Sequence, residues 1–221
     1  MPTFNRRRFI PLALKYFFSQ TYPNKELIII DDGSDCVRDL IPSDDCIQFY
    51  YFNRKISLGV KLNLGCAYAN GEIIAHFDDD DWYAPWRLSY QVEALREKNK
   101  GICGINRLYY YDLRTGGAYQ YVYPDTQRLW LSGSSLCYRK SLWEGHRFKN
   151  IDVGMDALFV WGIPLERIKI LENPAFAVHM IHSSNSNAKK VNGPWWKAIP
   201  IDETKKIMGE DFSCYEIFTA C

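Results

Sequence analysis

An α/β fold is what this sequence predicts: a mostly parallel sheet with helices on both faces, fused to a smaller mixed β region. Two observations carry the prediction. Through the first hundred residues, short apolar runs alternate with helix-like periods, and the runs are too uniformly apolar to keep one face in water. After residue 100 the texture changes to tyrosine-rich segments that alternate across a turn signal.

Taken in order, Arg6 to Gln20 places Ile10, Leu14, Phe17 and Phe18 on one helical face, with Pro11 tolerable in a first turn, and Pro23 and Asn24 end the helix. Leu27 to Ile30 is a short strand that breaks into Asp31, Asp32 and Gly33. Ile47 to Phe52 is a second strand, Gly59 to Asn70 a helix, Glu72 to Phe77 a third strand, and a helix beginning near Pro85 runs to about Lys100. "ICGINRLYYYD", the turn "TGG" and "AYQYVYP" read as a β-hairpin, and "WLSGSSLCYRKSLWE" as a strand entering a short helix. No repeat is visible, and "SSNSN" at Ser183 to Asn187 is too short to be a domain linker.

The 221 residues, 47% of them hydrophobic, suffice for a core without staples. Net charge is +1, from 27 basic and 26 acidic residues, so no global field marks a nucleic-acid or membrane-surface binder. Seven scattered cysteines with no C-x-x-C pair argue against a zinc site or a disulfide framework and for a reducing compartment, the cytoplasm. No apolar stretch approaches the ~20 residues of a membrane span, and the basic, proline-interrupted N-terminus is no signal peptide.

The chemistry concentrates in "HFDDDDWY". Four adjacent carboxylates, Asp78 to Asp81, repel one another wherever water is partly excluded, so a positive partner is expected. They follow a buried strand, as Asp31 and Asp32 do, and ligands of parallel sheets bind at the carboxyl ends of strands. Oxygen-only ligands suit hard divalent cations. A calcium loop of the EF-hand type fails, because counting from Asp78 puts Tyr83 where its glycine must be. Mg2+ or Mn2+ is expected instead, sharing its shell with substrate phosphates, which suggests a nucleotide. The structural alternative is a solvated helix N-terminus that Asp81 caps.

"MPTFNRRRFIPLALKYFFSQTYPNKELIIIDDGSD" and "GVKLNLGCAYANGEIIAHFDDDDWYAPWRL" together resemble the inverting family 2 glycosyltransferases of the GT-A fold, through P-T-F-N, Q-T-Y-P, I-D-D-G-S and the D-x-D strand end. A narrower likeness is to a domain of a chlorovirus glycosyltransferase, which would work in host cytoplasm. Past residue 100 the resemblance rests mainly on "NIDVGMDALFVW". It implies one GT-A domain over residues 1–221, with a nucleotide-binding half over 1–100 and a donor-sugar and acceptor half over 101–221, as a module of a longer chain. Members normally carry an apolar strand ahead of P-T-F-N, whereas Met1 abuts it here, so that strand is very short or trimmed.

Carried over by position, the resemblance puts the nucleobase on Thr3, Phe4 and Asp32, the metal on Asp80, and the ribose or metal shell on Asp79, with Asp78 completing D-x-D. Lys61 matches a basic position near the nucleotide, against the alternative of an exposed helix lysine. His182, preferred to His179, is a late metal ligand, against a satisfied core histidine. Asp156 matches the catalytic base, with Asp152 as rival and a helix N-cap as the structural alternative; the family's usual Glu-Asp pair is Met155-Asp156 here. His76 is expected to be structural. Trp130, Trp195, Trp196 and Tyr109 to Tyr111 are candidates for a sugar platform, with core packing as the default.

The implied activity is inverting, Mn2+- or Mg2+-dependent transfer of a hexose or deoxyhexose from a nucleotide-sugar, with UDP the expected nucleotide, to a glycan or glycoprotein. Two other classes compete. A nucleotidyltransferase needs a glycine-rich phosphate loop that "TFNRRRF" lacks. A catalytically silent module would bind a glycan or partner without metal-dependent nucleotide binding.

Overall fold

A computed structural model describes residues 1–218; Cys221 and the end of "YEIFTAC" lie outside them. Strand β1 (Pro2–Thr3) is two residues long and pairs in parallel with β2 (Leu27–Asp31), which pairs in parallel with β3 (Ile47–Tyr51). Every residue of β2 is buried, as an apolar run with helices nearby should be. Helix α1 (Ile10–Phe18) starts four residues later than its periodicity suggests. The cause is Asn5, which adopts a left-handed φ of 53° and accepts from the Asp35 amide, so Arg6 to Phe9 form a turn before the helix.

Helix α2 (Leu58–Tyr68) is capped by Ser57 and leads to β4 (Ile73–Ala75), which is shorter than read: the His76 amide still bonds the Leu136 carbonyl at 2.8 Å, and the chain bends at Asp79 to Asp81. β5 (Trp82–Tyr83) follows the acidic run, ahead of α3 (Arg87–Ala94). The predicted hairpin forms between β7 (Arg107–Asp112) and β8 (Gly117–Val122), but its leading residues split off as β6 (Ile102–Gly104). β9 (Cys137–Arg139) runs into α4 (Lys140–Gly145) as expected, followed by α5 (Met155–Trp161), β10 (Ile168–Ile170), β11 (Ala177–Ile181), β12 (Trp196–Ile199), α6 (Ile201–Met208) and α7 (Ser213–Glu216).

Three sheets result: β1-β2-β3, β10-β6-β9-β4 and β12-β8-β7-β11-β5. The first is wholly parallel, and the others add the parallel pairs β6 with β10 and β7 with β11 to antiparallel neighbours. A cavity of about 780 Å³ separates β2 from β4, lined by Ile28, Ile30, Gly65, Ile74 and Val92. The main core crosses between the halves, joining Phe9 and Ile29 to Tyr111, Phe176, Met180 and Tyr215. Among the described residues no helix is long and apolar enough to cross a membrane, and all six cysteines are unpaired.

Candidate active site

The acidic run bridges two sheets: it leaves the end of β4 and enters β5, which pairs with β11. The bend is held by Tyr83, whose hydroxyl accepts from the Asp78 amide at 3.0 Å. Asp81 does not cap α3. Its carboxylate takes the Met180 amide at 3.0 Å and His179 Nδ1 at 2.5 Å, so it stitches the run to β11, and the N-cap position of α3, Trp86, makes no side-chain cap. A tertiary partner has displaced the local one.

The expected positive charge comes from two arginines that the sequence did not single out. Arg6 donates to Asp80 Oδ2, lies 3.8 Å from Asp79 Oδ1 and also donates to the Ser184 carbonyl. Arg87, with no exposed surface, donates to the His76 and Ser134 carbonyls from behind the run and lies 4.0 Å from the Tyr83 ring centre. Burial pushes Asp78 up to about 7, with Asp81 and Asp80 adding to it, and pushes Asp79 up to about 8, with Asp80 adding. Burial also acts upward on Asp80, yet the His182 hydrogen bond and the Arg6 charge outweigh it and hold that carboxyl below its ordinary value.

These residues fit a divalent ion. Carboxylate oxygens of Asp78, Asp80 and Asp81 lie within 4.8 Å of one another. The buried Asp79 Oδ2 has no hydrogen-bond partner, a cost that a cation would remove. His182, buried as a core histidine would be, brings Nε2 to 2.9 Å from Asp80 Oδ2, while its Nδ1 is 3.0 Å from Ser184 Oγ. With Ser184 at one ring nitrogen, the other is turned toward the acidic run, where a metal would meet it. His179, the alternative, is held by Asp81 at Nδ1, and its buried Nε2 has no partner.

Thr3, Phe4, Asp32 and Lys61 gather beside this cluster. Lys61 is no exposed helix lysine: buried, it bonds the Asp32 carboxylate and, at 3.0 Å, the Thr3 carbonyl. The other Asp32 oxygen accepts the Ile56 amide at 2.8 Å, so each keeps a lone pair free for a ligand donor. Phe4 is 37% exposed, and Lys55 and Lys61 lie over its ring at 5.0 and 5.6 Å, so the ring is partly in solvent beside two cations. The buried Thr3 hydroxyl lies beside Asp79 and lacks a well-formed hydrogen bond. Asp31 is structural, closing its loop on the Gly33 and Val37 amides.

Asp156 sits in the first turn of α5, where Gly154, in a left-handed conformation, takes the N-cap position. Burial pushes its carboxyl up, and the amides of Ala157, Asp156 and Gly133 pull partly back. It does not touch the acidic run. The turn Gly133–Ser135 lies between them: a Cβ on Gly133 would stand 2.8 Å from Asp156 Oδ2, and Ser134 Oγ is 3.3 Å from His179 Nδ1. The rival Asp152 is exposed and accepts the first amide of α2 at 2.9 Å, a capping contact. Of the aromatic candidates, Tyr110 and Tyr111 are core, while Trp195 is 40% exposed and packs on Tyr121 and Tyr123.

Solved structures share this architecture. S. aureus TarS in complex with UDP-GlcNAc matches with a TM-score of 0.68 at 17% identity, covering 96% of this chain and 71% of that one. Mannosyltransferase PcManGT from Pyrobaculum calidifontis, in complex with GDP-Man and Mn2+, matches at 0.65 and 18%, covering 84% and 56%. Both are GT-A folds, as is this chain. Among curated sequences, glycosyltransferase GlyG of Streptococcus pneumoniae is 26% identical over 127 residues, 55% of this chain and 42% of GlyG. The GalNAc(5)-diNAcBac-PP-undecaprenol beta-1,3-glucosyltransferase of Campylobacter jejuni is 32% identical over 104 residues, 44% of this chain and 33% of that protein. The chain thus spans less than half the length of either relative. The family model "Glycosyl transferase family 2" matches residues 1–148, a span that includes the Phe4 side of the site and the whole acidic run, and the chain belongs to that family.

Proposed function

We propose that the protein is an inverting, Mn2+- or Mg2+-dependent glycosyltransferase that moves a hexose or deoxyhexose from a UDP-sugar to a glycan or glycoprotein acceptor. The observation that carries this reading is the convergence of Asp78, Asp80 and Asp81, with His182 on Asp80, at a strand end beside Asp79 and Thr3, whose carbonyl Lys61 ties to Asp32. Complexes of the structural neighbours with UDP-GlcNAc, and with GDP-Man and Mn2+, support it by analogy. Residues 1–100 supply most of the nucleotide side, and 101–221 the sugar and acceptor side, of one module. Unpaired cysteines fit a cytoplasmic setting.

Phe4 stacks on the base, and Asp32, fixed by Lys61, accepts from its edge. Asp78, Asp80 and His182 would hold the divalent ion, with Asp79 toward the ribose. When bound, that ion supplies Lewis acidity that offsets the negative charge gathering on the leaving diphosphate. Asp156 takes the proton of the acceptor hydroxyl as that oxygen bonds to the anomeric carbon and the carbon–phosphate-oxygen bond breaks on the opposite face, which inverts the centre. A carboxyl raised by burial is a better base for this step than an exposed one.

Calorimetric titration of UDP with and without Mn2+, on the natural protein and on Asp80→Ala, tests the reading. Binding that requires both the ion and Asp80 is expected. Metal-independent binding, or none to UDP, GDP or dTDP, would overturn it in favour of a silent binding module.

A further inference from the structure

Arg6 engages Asp80 and His182, two of the groups proposed above to hold a divalent ion. One of its Nη atoms lies against Asp80 Oδ2, 3.1 Å from His182 Nε2 and 3.8 Å from Asp79 Oδ1, so two of the proposed ligands and the neighbouring Asp79 carboxylate face one guanidinium nitrogen. The contacts within this group conflict. If His182 Nε2 carries a proton, it donates well to Asp80 at 2.9 Å but faces an Arg6 donor; if it is bare, it accepts from Arg6 but opposes the Asp80 lone pairs. Neither tautomer satisfies all three groups, and a metal ion accepting lone pairs from both His182 and Asp80 would. The buried, partnerless Asp79 Oδ2 adds a second unmet acceptor at the same point.

Two cations cannot share this position, since the guanidinium and a divalent ion would repel each other in a site largely closed to water. We propose that Arg6 is a resident counter-ion that a divalent ion must displace, so that metal and donor diphosphate bind together and each weakly alone. The inference rests on the transferase reading above. Arg6 stabilises the carboxylates while the site lacks metal, and the arriving diphosphate gives the freed guanidinium a new bidentate partner. Its neighbours in sequence have no such role: Arg7 pairs with Asp35 and Asp39 at the surface, and Arg8 packs over Phe9.

The test is Mn2+ binding, followed by the electron paramagnetic resonance of the free ion, on the natural protein, Arg6→Gln, Arg6→Lys and Asp80→Ala, each with and without UDP. Without UDP, Arg6→Gln should bind Mn2+ at least about tenfold more tightly than the natural protein, because one buried positive charge is gone. Arg6→Lys should stay close to the natural protein, and UDP should narrow the difference between natural protein and Arg6→Gln. Unchanged or weaker Mn2+ binding by Arg6→Gln, in a natural protein that binds Mn2+ through Asp80 when UDP is present, overturns the role of Arg6 alone. No Mn2+ binding by any variant, with or without UDP, overturns the transferase reading and this inference together. Should Arg6→Gln fail to fold, nitrogen-15 spectra of the Arg6 side chain in the natural protein decide: adding Mg2+ and UDP should shift its N–H signals, and an unmoved signal in a metal-loaded sample overturns the proposal.

Discussion

Asp156 and its support make the sharpest expectation at the scale of single residues. Asp156→Asn keeps the shape but removes the proposed proton acceptor, so on that reading kcat should fall by about 10²- to 10⁴-fold while the proposed metal-dependent UDP binding is retained. Because burial raises this carboxyl, the acid limb of the pH–rate profile should lie above the ordinary aspartate value of 3.8, with activity rising as pH climbs through it. Gly133→Ala would press a methyl group against Asp156 Oδ2, and a displacement of even about 1 Å there should cost up to ~10²-fold in kcat with little change in melting temperature. What was legible is that the strand-end carboxylates need a positive partner and that Asp32 and Lys61 lie near them; the roles proposed for Asp32 and Asp156 come from the likeness to a family. Arg6 was not, because three consecutive arginines carry no signal of which one turns inward; the left-handed turn at Asn5 decides that. Asp81 misled for a related reason, since its β11 partners lie about a hundred residues away.

Among the elements, α3 supports the site from its inner face. Arg87 Nη2 serves two carbonyls, one from the strand end before the acidic run and one from the turn beside Asp156, and Gln91 from the same helix supports its Nε at 2.9 Å. Arg87→Ala would leave both carbonyls buried without a donor and open a void, so denaturant unfolding should show a loss of about 3 kcal/mol or more. Lysine should rescue poorly, because a point charge cannot reproduce the planar fork. The sequence revealed long elements better than short ones. α1, α2, β2 and the β7–β8 hairpin carry enough periods to be read, whereas β5, two residues long, exists only through its pairing with β11. β6 was merged with β7 because nothing in "ICGIN" marks the two-residue break between them.

Across the whole molecule, burial of ionisable groups links folding to pH. His76 donates from Nδ1 to the Gly133 carbonyl at 2.8 Å and accepts from Tyr138 at Nε2, and burial pushes its pKa down to about 3, with the Gly133 bond partly opposing. The unfolded chain therefore takes up a proton near pH 6.5 that the folded chain refuses until about 3. Between those values this residue withdraws stability as pH falls, by on the order of 1 kcal/mol per pH unit. Asp78 and Asp79, with raised values, act in the opposite sense over an overlapping window. The measurement is thus a difference: urea unfolding of the natural protein and of His76→Asn at pH 7, 5.5 and 4.5, in which the variant should lose less stability on acidification. The fold class itself was visible from alternation alone, but not how far the site reaches along the chain. Asp80 meets His182 across 102 positions, and Arg6 meets the Ser184 carbonyl across 178. During synthesis the four carboxylates emerge long before β11 exists to receive them, and no early folding unit can neutralise the cluster fully. Assembly of the cluster is therefore among the last events in the folding of the nascent chain, and the loops that must close to reach it set the pace.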